Sequence, residues 1–180
     1  GGNPHTSLDY TGTSFGNGYG KFTISGLIGA HPFTYNLNYG TTFDHTTGSG
    51  NFMYIDSPNN NDPITVWQQD NIPVVQGKEY LFSVWVKQII GCFFQGCNNF
   101  PRINIYINNQ EIISLYEIKH INWEEICYNW TANTTGNISI KITTQQNTIS
   151  GMGYDFGIDD IVFGEKILNF DIVAPAKVCE

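Results

Sequence analysis

Charge is the scarcest property of this chain. Asp, Glu, Lys and Arg make up 13% of its 180 residues, against roughly 25% in an ordinary soluble domain. Positive charge is scarcest of all: 8 Lys and Arg face 16 Asp and Glu, for a net charge of −8. Nucleic-acid binders need a basic patch, so nucleic acid is excluded as a partner, and anionic membranes are disfavoured. No apolar run approaches the roughly 18 residues of a membrane-spanning helix, so no membrane insertion is expected. No signal-peptide pattern is visible. The opening Gly1-Gly2-Asn3-Pro4-His5 reads as a piece of a longer precursor. Helical periodicity is nearly absent.

Catalytic groupings are missing too. A glycosidase places two carboxylates about 5–10 Å apart across a cleft. Glu124 and Glu125 are sequence neighbours that point to opposite faces of a strand, and Glu111 and Glu117 have no supporting signal. The glycine-rich Phe15-Gly16-Asn17-Gly18-Tyr19-Gly20 is followed by no Lys-Ser/Thr and opens no helix, so it is not a phosphate loop. The four histidines are scattered. His45, beside Asp44, reads either as a partner standing behind a metal ligand or, the favoured expectation, as a hydrogen-bonding member of its loop. No catalytic residue is expected.

What is present is alternation with a period of two. Phe82, Val84 and Val86 fall opposite Ser83, Trp85 and Lys87; Ile103, Ile105 and Ile107 fall opposite Arg102, Asn104, Tyr106 and Asn108; Ile138, Ile140 and Ile142 fall opposite Ser139, Lys141 and Thr143. Such strands belong to antiparallel sheets with one buried face. Turn signals separate them at Asn59–Pro63, Gln76–Lys78, Asn108–Gln110, Asn133–Gly136 and Gly151–Gly153. Many short strands with regular turns predict an all-β sandwich, jelly roll or barrel. The polar surface is rich in Asn, Thr, Ser and Gln, which suits sugar recognition.

The chain has four cysteines. Cys92 and Cys97 bracket Phe93-Phe94-Gln95-Gly96 and are expected to close a small disulfide loop rather than half a zinc site, since no second pair with ligand spacing follows. One of Phe93 and Phe94 is a candidate for an exposed binding tip, or a curled loop buries both. Cys127 and Cys179 have a pairing that the sequence leaves open.

Two distant segments join carboxylates to strand-like alternation: Asp44-His45-Thr46-Thr47-Gly48-Ser49-Gly50-Asn51-Phe52-Met53-Tyr54-Ile55-Asp56, and Tyr154-Asp155-Phe156-Gly157-Ile158-Asp159-Asp160-Ile161-Val162-Phe163. Carboxylates at a sheet edge suit a hard cation such as Ca²⁺, which takes six to eight oxygen ligands. The closing strand at 156–163 is expected beside an early strand, bringing Asp159 or Asp160 near Asp44.

These segments, with Val66-Trp67-Gln68-Gln69, Tyr80–Val86 and Trp123 between them in order, resemble MAM-type jelly rolls. They also resemble the carbohydrate-binding-module-like jelly rolls of large secreted and cell-surface proteins of gliding, polysaccharide-degrading bacteria. The resemblance covers about residues 40–164. It implies an antiparallel β-sandwich jelly roll of galactose-binding type with a structural Ca²⁺ held by Asp44 and Asp159, with Asp160 and backbone carbonyls as further ligands. Animal MAM domains carry a different cysteine pattern, which favours the bacterial version.

The domain expectation is a jelly-roll module over 1–168, with 169–180 as a linker or the start of a following domain. The expected function is non-catalytic binding of a polysaccharide or cell-surface glycan by a monomeric, secreted or cell-surface module. The out-facing Trp85, Lys87, Arg102, Asn104 and Tyr106, taken to lie on neighbouring strands of one sheet, form the expected sugar platform, with Trp85 also part of the scaffold. The alternative is a structural spacer or protein-adhesion module in a long surface fibre.

Overall fold

The computed structural model describes residues 3–10, 20–26, 43–58, 62–89, 100–145 and 155–166. Ten strands run through them: β1 (Asp9–Tyr10), β2 (Lys21–Ser25), β3 (Phe52–Asp56), β4 (Ile64–Val74), β5 (Glu79–Gln88), β6 (Arg102–Ile107), β7 (Gln110–Glu117), β8 (Glu124–Thr131), β9 (Gly136–Thr144) and β10 (Phe156–Glu165). No helix occurs among the described residues.

The strands form a six-stranded sheet ordered β1-β2-β3-β10-β5-β8 and a four-stranded sheet ordered β4-β9-β6-β7. From β3 to β6 every connection crosses between sheets, and so does every connection from β7 to β10. That is the jelly-roll winding, and the expected all-β sandwich is the fold. All pairings are antiparallel except the short β1–β2 edge pair, which is parallel.

The period-two pattern is the cause of the architecture. Phe82, Val84 and Val86 of β5, Ile103, Ile105 and Ile107 of β6, and Ile138, Ile140 and Ile142 of β9 join Ile55, Phe156 and Ile158 in one core between the sheets. Burying an Ile or Phe side chain contributes roughly 1.5–3 kcal/mol before entropy is subtracted. A slip of one residue would turn each such row outward, so the pattern fixes the register. The turn signals work as expected at two hairpins. Asn108 and Asn109 both have positive φ, 49° and 63°, which is the conformation that joins β6 to β7 tightly. Gly77, with φ 79°, turns β4 into β5.

β10 lies between β3 and β5, so the closing strand does stand beside an early one. It ends at Glu165. Cys92, Cys97, Phe93, Phe94, Cys179 and the segment 169–180 lie outside the described residues. Cys127, on β8, is disulfide-bonded.

Candidate functional site

The sandwich has two outward faces, and the expected sugar-binding set is divided between them. Trp85 and Lys87 are on β5, in the six-stranded sheet; Arg102, Asn104 and Tyr106 are on β6, in the four-stranded sheet. β5 and β6 are consecutive in sequence, but their connection crosses the sandwich. The five residues therefore do not form one platform. Alternation correctly placed each side chain away from the core but carried no information on which sheet a strand joins.

On the six-stranded face, Trp85 stands opposite Asp159 of β10, and Lys87 opposite Gly157. The segment 43–50 packs over Trp85. The His45 ring stacks on Trp85 at 3.6 Å between centroids and 15° between planes. Trp123 meets His45 and Phe52 edge-on, and its Nε1 donates to the Phe43 carbonyl at 3.0 Å. The Lys87 ammonium rests 5.4 Å from the Trp123 ring centre, and burial lowers its pKa. Phe52, Tyr54 and Ile89 form a second small core here, with Trp123 against it. Gly157 lets this packing close tightly: a Cβ there would sit 3.0 Å from Phe52 Cε2 and 3.1 Å from Trp123 Cη2, so those rings would have to give by a few tenths of an ångström.

The three aspartates expected to hold Ca²⁺ come together where this loop meets β10. Asp44 is buried; its Oδ2 accepts from the Thr47 amide (2.8 Å) and hydroxyl (3.0 Å), and its Oδ1 from the Gly50 amide (2.7 Å). Asp159 Oδ2 accepts from the His45 amide at 2.8 Å. Asp160 Oδ2 lies 2.7 Å from His45 Nδ1, and its carboxylate accepts from the Thr46 hydroxyl at 2.7 Å. The register of β10 on β5 shifts between Asp159 and Val162, and Asp160 has φ 45°. This bulge aims both carboxylates at the loop.

Burial raises the Asp159 pKa, with repulsion from Asp160 and Asp44 adding to it. Hydrogen bonds from His45 and Thr46 lower that of Asp160. The donor set has the hard oxygens Ca²⁺ favours. Its oxygens are already engaged by loop donors, and among the described residues no group of three or more His, Cys, Asp or Glu side chains closes on a metal-sized point.

The four-stranded face is different. Tyr106 of β6 stands between Lys141 of β9 and Glu111 of β7, and Lys141 in turn stands beside Gln68 of β4. Tyr106 is half-buried; burial first, then its hydrogen bond and charge contact with Glu111, raise its phenol pKa. Lys141 Nζ lies 4.8 Å from the Tyr106 ring centre. Arg102 grips Glu117 through Nε (3.1 Å) and an Nη (2.7 Å), and Lys119 meets the other carboxylate oxygen at 2.9 Å.

Asn104 is an exception among its neighbours, being 3% exposed. Its Oδ1 accepts from the Leu115 amide at 2.6 Å, and its Nδ2 donates to Thr143 Oγ1 at 3.4 Å. Leu115 has φ 49°, so Asn104 secures an irregularity of β7 from below. It is positioned to hold the face rather than to meet a ligand.

Sequence reasoning did not select Lys141, Glu111, Glu117, His45 or Trp123 for a site. Lys141 was legible as out-facing, but its register against Tyr106 is a fact of strand pairing. Nothing in the sequence signalled a further group, in which two half-buried aspartates meet the buried Tyr54. The Tyr54 hydroxyl donates to Asp155 Oδ2 at 2.8 Å, and Asp155 is hydrogen-bonded to Asp56. Burial, reinforced by Asp155, pushes Asp56 up to about 8, and burial pushes Asp155 up to about 6.

No protein-family model and no curated protein sequence matches the chain. Solved structures do. The enzymatically active domain of tailspike protein 4 of bacteriophage CBA120 matches 91% of this chain and 19% of its own length, at 8% identity and TM-score 0.53. A cyclase from Fischerella sp. TAU, in complex with 4-(1H-indol-3-yl)butan-2-one, matches 69% of this chain and 67% of its own, at 14% identity and TM-score 0.51. The EclA C-terminal domain, a sugar-binding protein, matches 59% and 71%, at 19% identity and TM-score 0.47. At these identities the likeness concerns the fold.

Proposed function

We propose that this chain is a non-catalytic glycan-binding module whose binding face is the outer side of the four-stranded sheet. One observation carries the reading: Tyr106 lies outward on that sheet, flanked in register by the hydrogen-bonding side chains of Glu111, Lys141 and Gln68 on three neighbouring strands. An aromatic surface stacks on the apolar C–H face of a pyranose, and polar groups about 5 Å away, the interstrand spacing, meet the ring hydroxyls. Arg102 is the fixed polar neighbour, and Asn104 supports the face from beneath. Trp85 is partly covered by His45 of the 43–50 loop and Lys87 lies over Trp123, and both are assigned to the scaffold.

The reading is tested by retention on insoluble polysaccharides. Wild-type protein is retained by one glycan class, and Tyr106→Ala is not, while its circular dichroism and melting temperature stay within a few degrees of wild type. Equal retention of both proteins rejects this face.

Secretion or cell-surface display belongs to the same proposal. It is supported by the disulfide at Cys127, since disulfides persist in oxidising compartments. So do a monomeric state, neighbouring domains in a longer parent chain, and a structural Ca²⁺ at Asp44, Asp159 and Asp160. The spacer or protein-adhesion alternative is favoured by the six-stranded face, whose aromatics are packed under the protein's own loop.

A further inference from the structure

Among the described residues, the Tyr106 face holds an ammonium with no carboxylate at ion-pair distance. Lys141 stands directly opposite Tyr106 in the sheet, and its contact is the Tyr106 ring at 4.8 Å. The other charged groups of the face have hydrogen-bond or ion-pair partners within the protein. Glu117 is shared by Arg102 and Lys119. Glu111 accepts from Ser114 and Tyr106, which lowers its pKa. Asp70 accepts from Gln68 at 2.9 Å, with His5 at 3.8 Å. In a chain of net charge −8, Lys141 sets a cation without a carboxylate partner on one side of the outward aromatic, and Glu111, hydrogen-bonded by the neutral Ser114 and Tyr106, stands on the other.

We propose that this face takes an acidic polysaccharide, with Tyr106 stacking on a sugar ring and Lys141 binding that sugar's carboxylate or sulfate. The inference rests on the glycan-binding reading above and names the ligand class for the same site. A cation over an accessible tyrosine ring is held weakly. Stacking of a sugar displaces the ammonium from the ring, and an anionic substituent at the rim of that sugar gives it a charge-assisted hydrogen bond in exchange. The ring stays with the sugar, and the charge moves to the substituent one strand spacing away. Arg102, held in two hydrogen bonds by Glu117, borders the face without being free to compete for the anion.

The test is native affinity electrophoresis of wild type, Lys141→Gln, Lys141→Arg and Tyr106→Ala. The gels contain polygalacturonate (carboxylates), carrageenan (sulfates) or hydroxyethylcellulose (neutral). The expected result is retardation by one of the two anionic polymers, which identifies the anion and weakens with added salt. Lys141→Gln binds roughly tenfold or more weakly, the loss for one charge-assisted hydrogen bond, while Lys141→Arg keeps most of the binding. Retardation by the neutral polymer alone, unchanged in Lys141→Gln, overturns the acidic class and leaves glycan binding standing. No retardation in any gel, with the protein folded by circular dichroism, removes the glycan-binding reading and this inference with it.

Discussion

Asn104 and Tyr106 sit two residues apart on the same side of one strand, yet they have opposite duties. The Asn104 amide is spent inside the protein, on Leu115 and Thr143. Asn104→Leu therefore leaves the Leu115 amide without its acceptor, at a cost of about 1–3 kcal/mol. Thermal melting should register this as a fall of several degrees, and an unchanged midpoint would mean that Leu115 finds another acceptor. Tyr106 is half-buried and its neighbours are polar, so its truncation should remove binding and leave the fold.

At the scale of elements, the joint between the 43–50 loop and β10 is held by side-chain hydrogen bonds and close ring packing. Gly157 lets β10 pass beneath Phe52 and Trp123. In Gly157→Ala the added methyl overpacks this contact, which typically costs about 1–3 kcal/mol; a melting temperature equal to wild type would show that Trp123 swings away freely. Asp159→Ala removes the acceptor of the His45 amide and should lower the melting temperature. Adding a chelator to wild type separates the two readings of these carboxylates. A fall in melting temperature, abolished in Asp159→Ala, supports bound Ca²⁺ through its mass-action stabilisation of the folded state. No shift leaves the hydrogen bonds as the whole of the joint.

For the whole molecule, half-buried acids set the pH dependence of stability. Asp56, Asp155, Asp159 and Glu124 all have pKa values raised chiefly by burial. The folded state holds protons that the unfolded chain has released, so their contribution is complete below about pH 4, the unfolded range. It is lost as pH rises through the folded values, which reach about 8 at Asp56. Asp44, Glu111, Glu117 and Asp160 are shifted down, so their contribution is present above about pH 4 and falls away in stronger acid. Melting temperature should therefore decline from about pH 5 to 8. Asp56→Asn, which mimics the protonated form, should flatten that decline; an equally steep profile in the variant would move its cause away from the Tyr54–Asp155–Asp56 group.

The sequence by itself determined the central strands β5, β6, β9 and β10, their inward and outward faces, and the sandwich, but not β1, β2 and β7. Ile103, Ile105 and Ile107, like Phe82, Val84 and Val86, are local patterns whose burial is the same whatever partner is found. It also brought Asp159 and Asp160 to the Asp44 loop, through the placing of the last strand beside an early one. Tertiary structure alone decided what lies beside what on each outer face. Trp85 was separated from Tyr106 because consecutive strands cross between sheets. Trp85 was partly covered because His45 stacks on it from a loop 40 residues earlier. Lys141 was set against Tyr106 by the pairing of β6 with β9, strands more than 30 residues apart in the chain. Side-chain alternation is written in the covalent order of neighbours. Strand pairing depends on which cores and edges satisfy one another in space, and no local pattern encodes that.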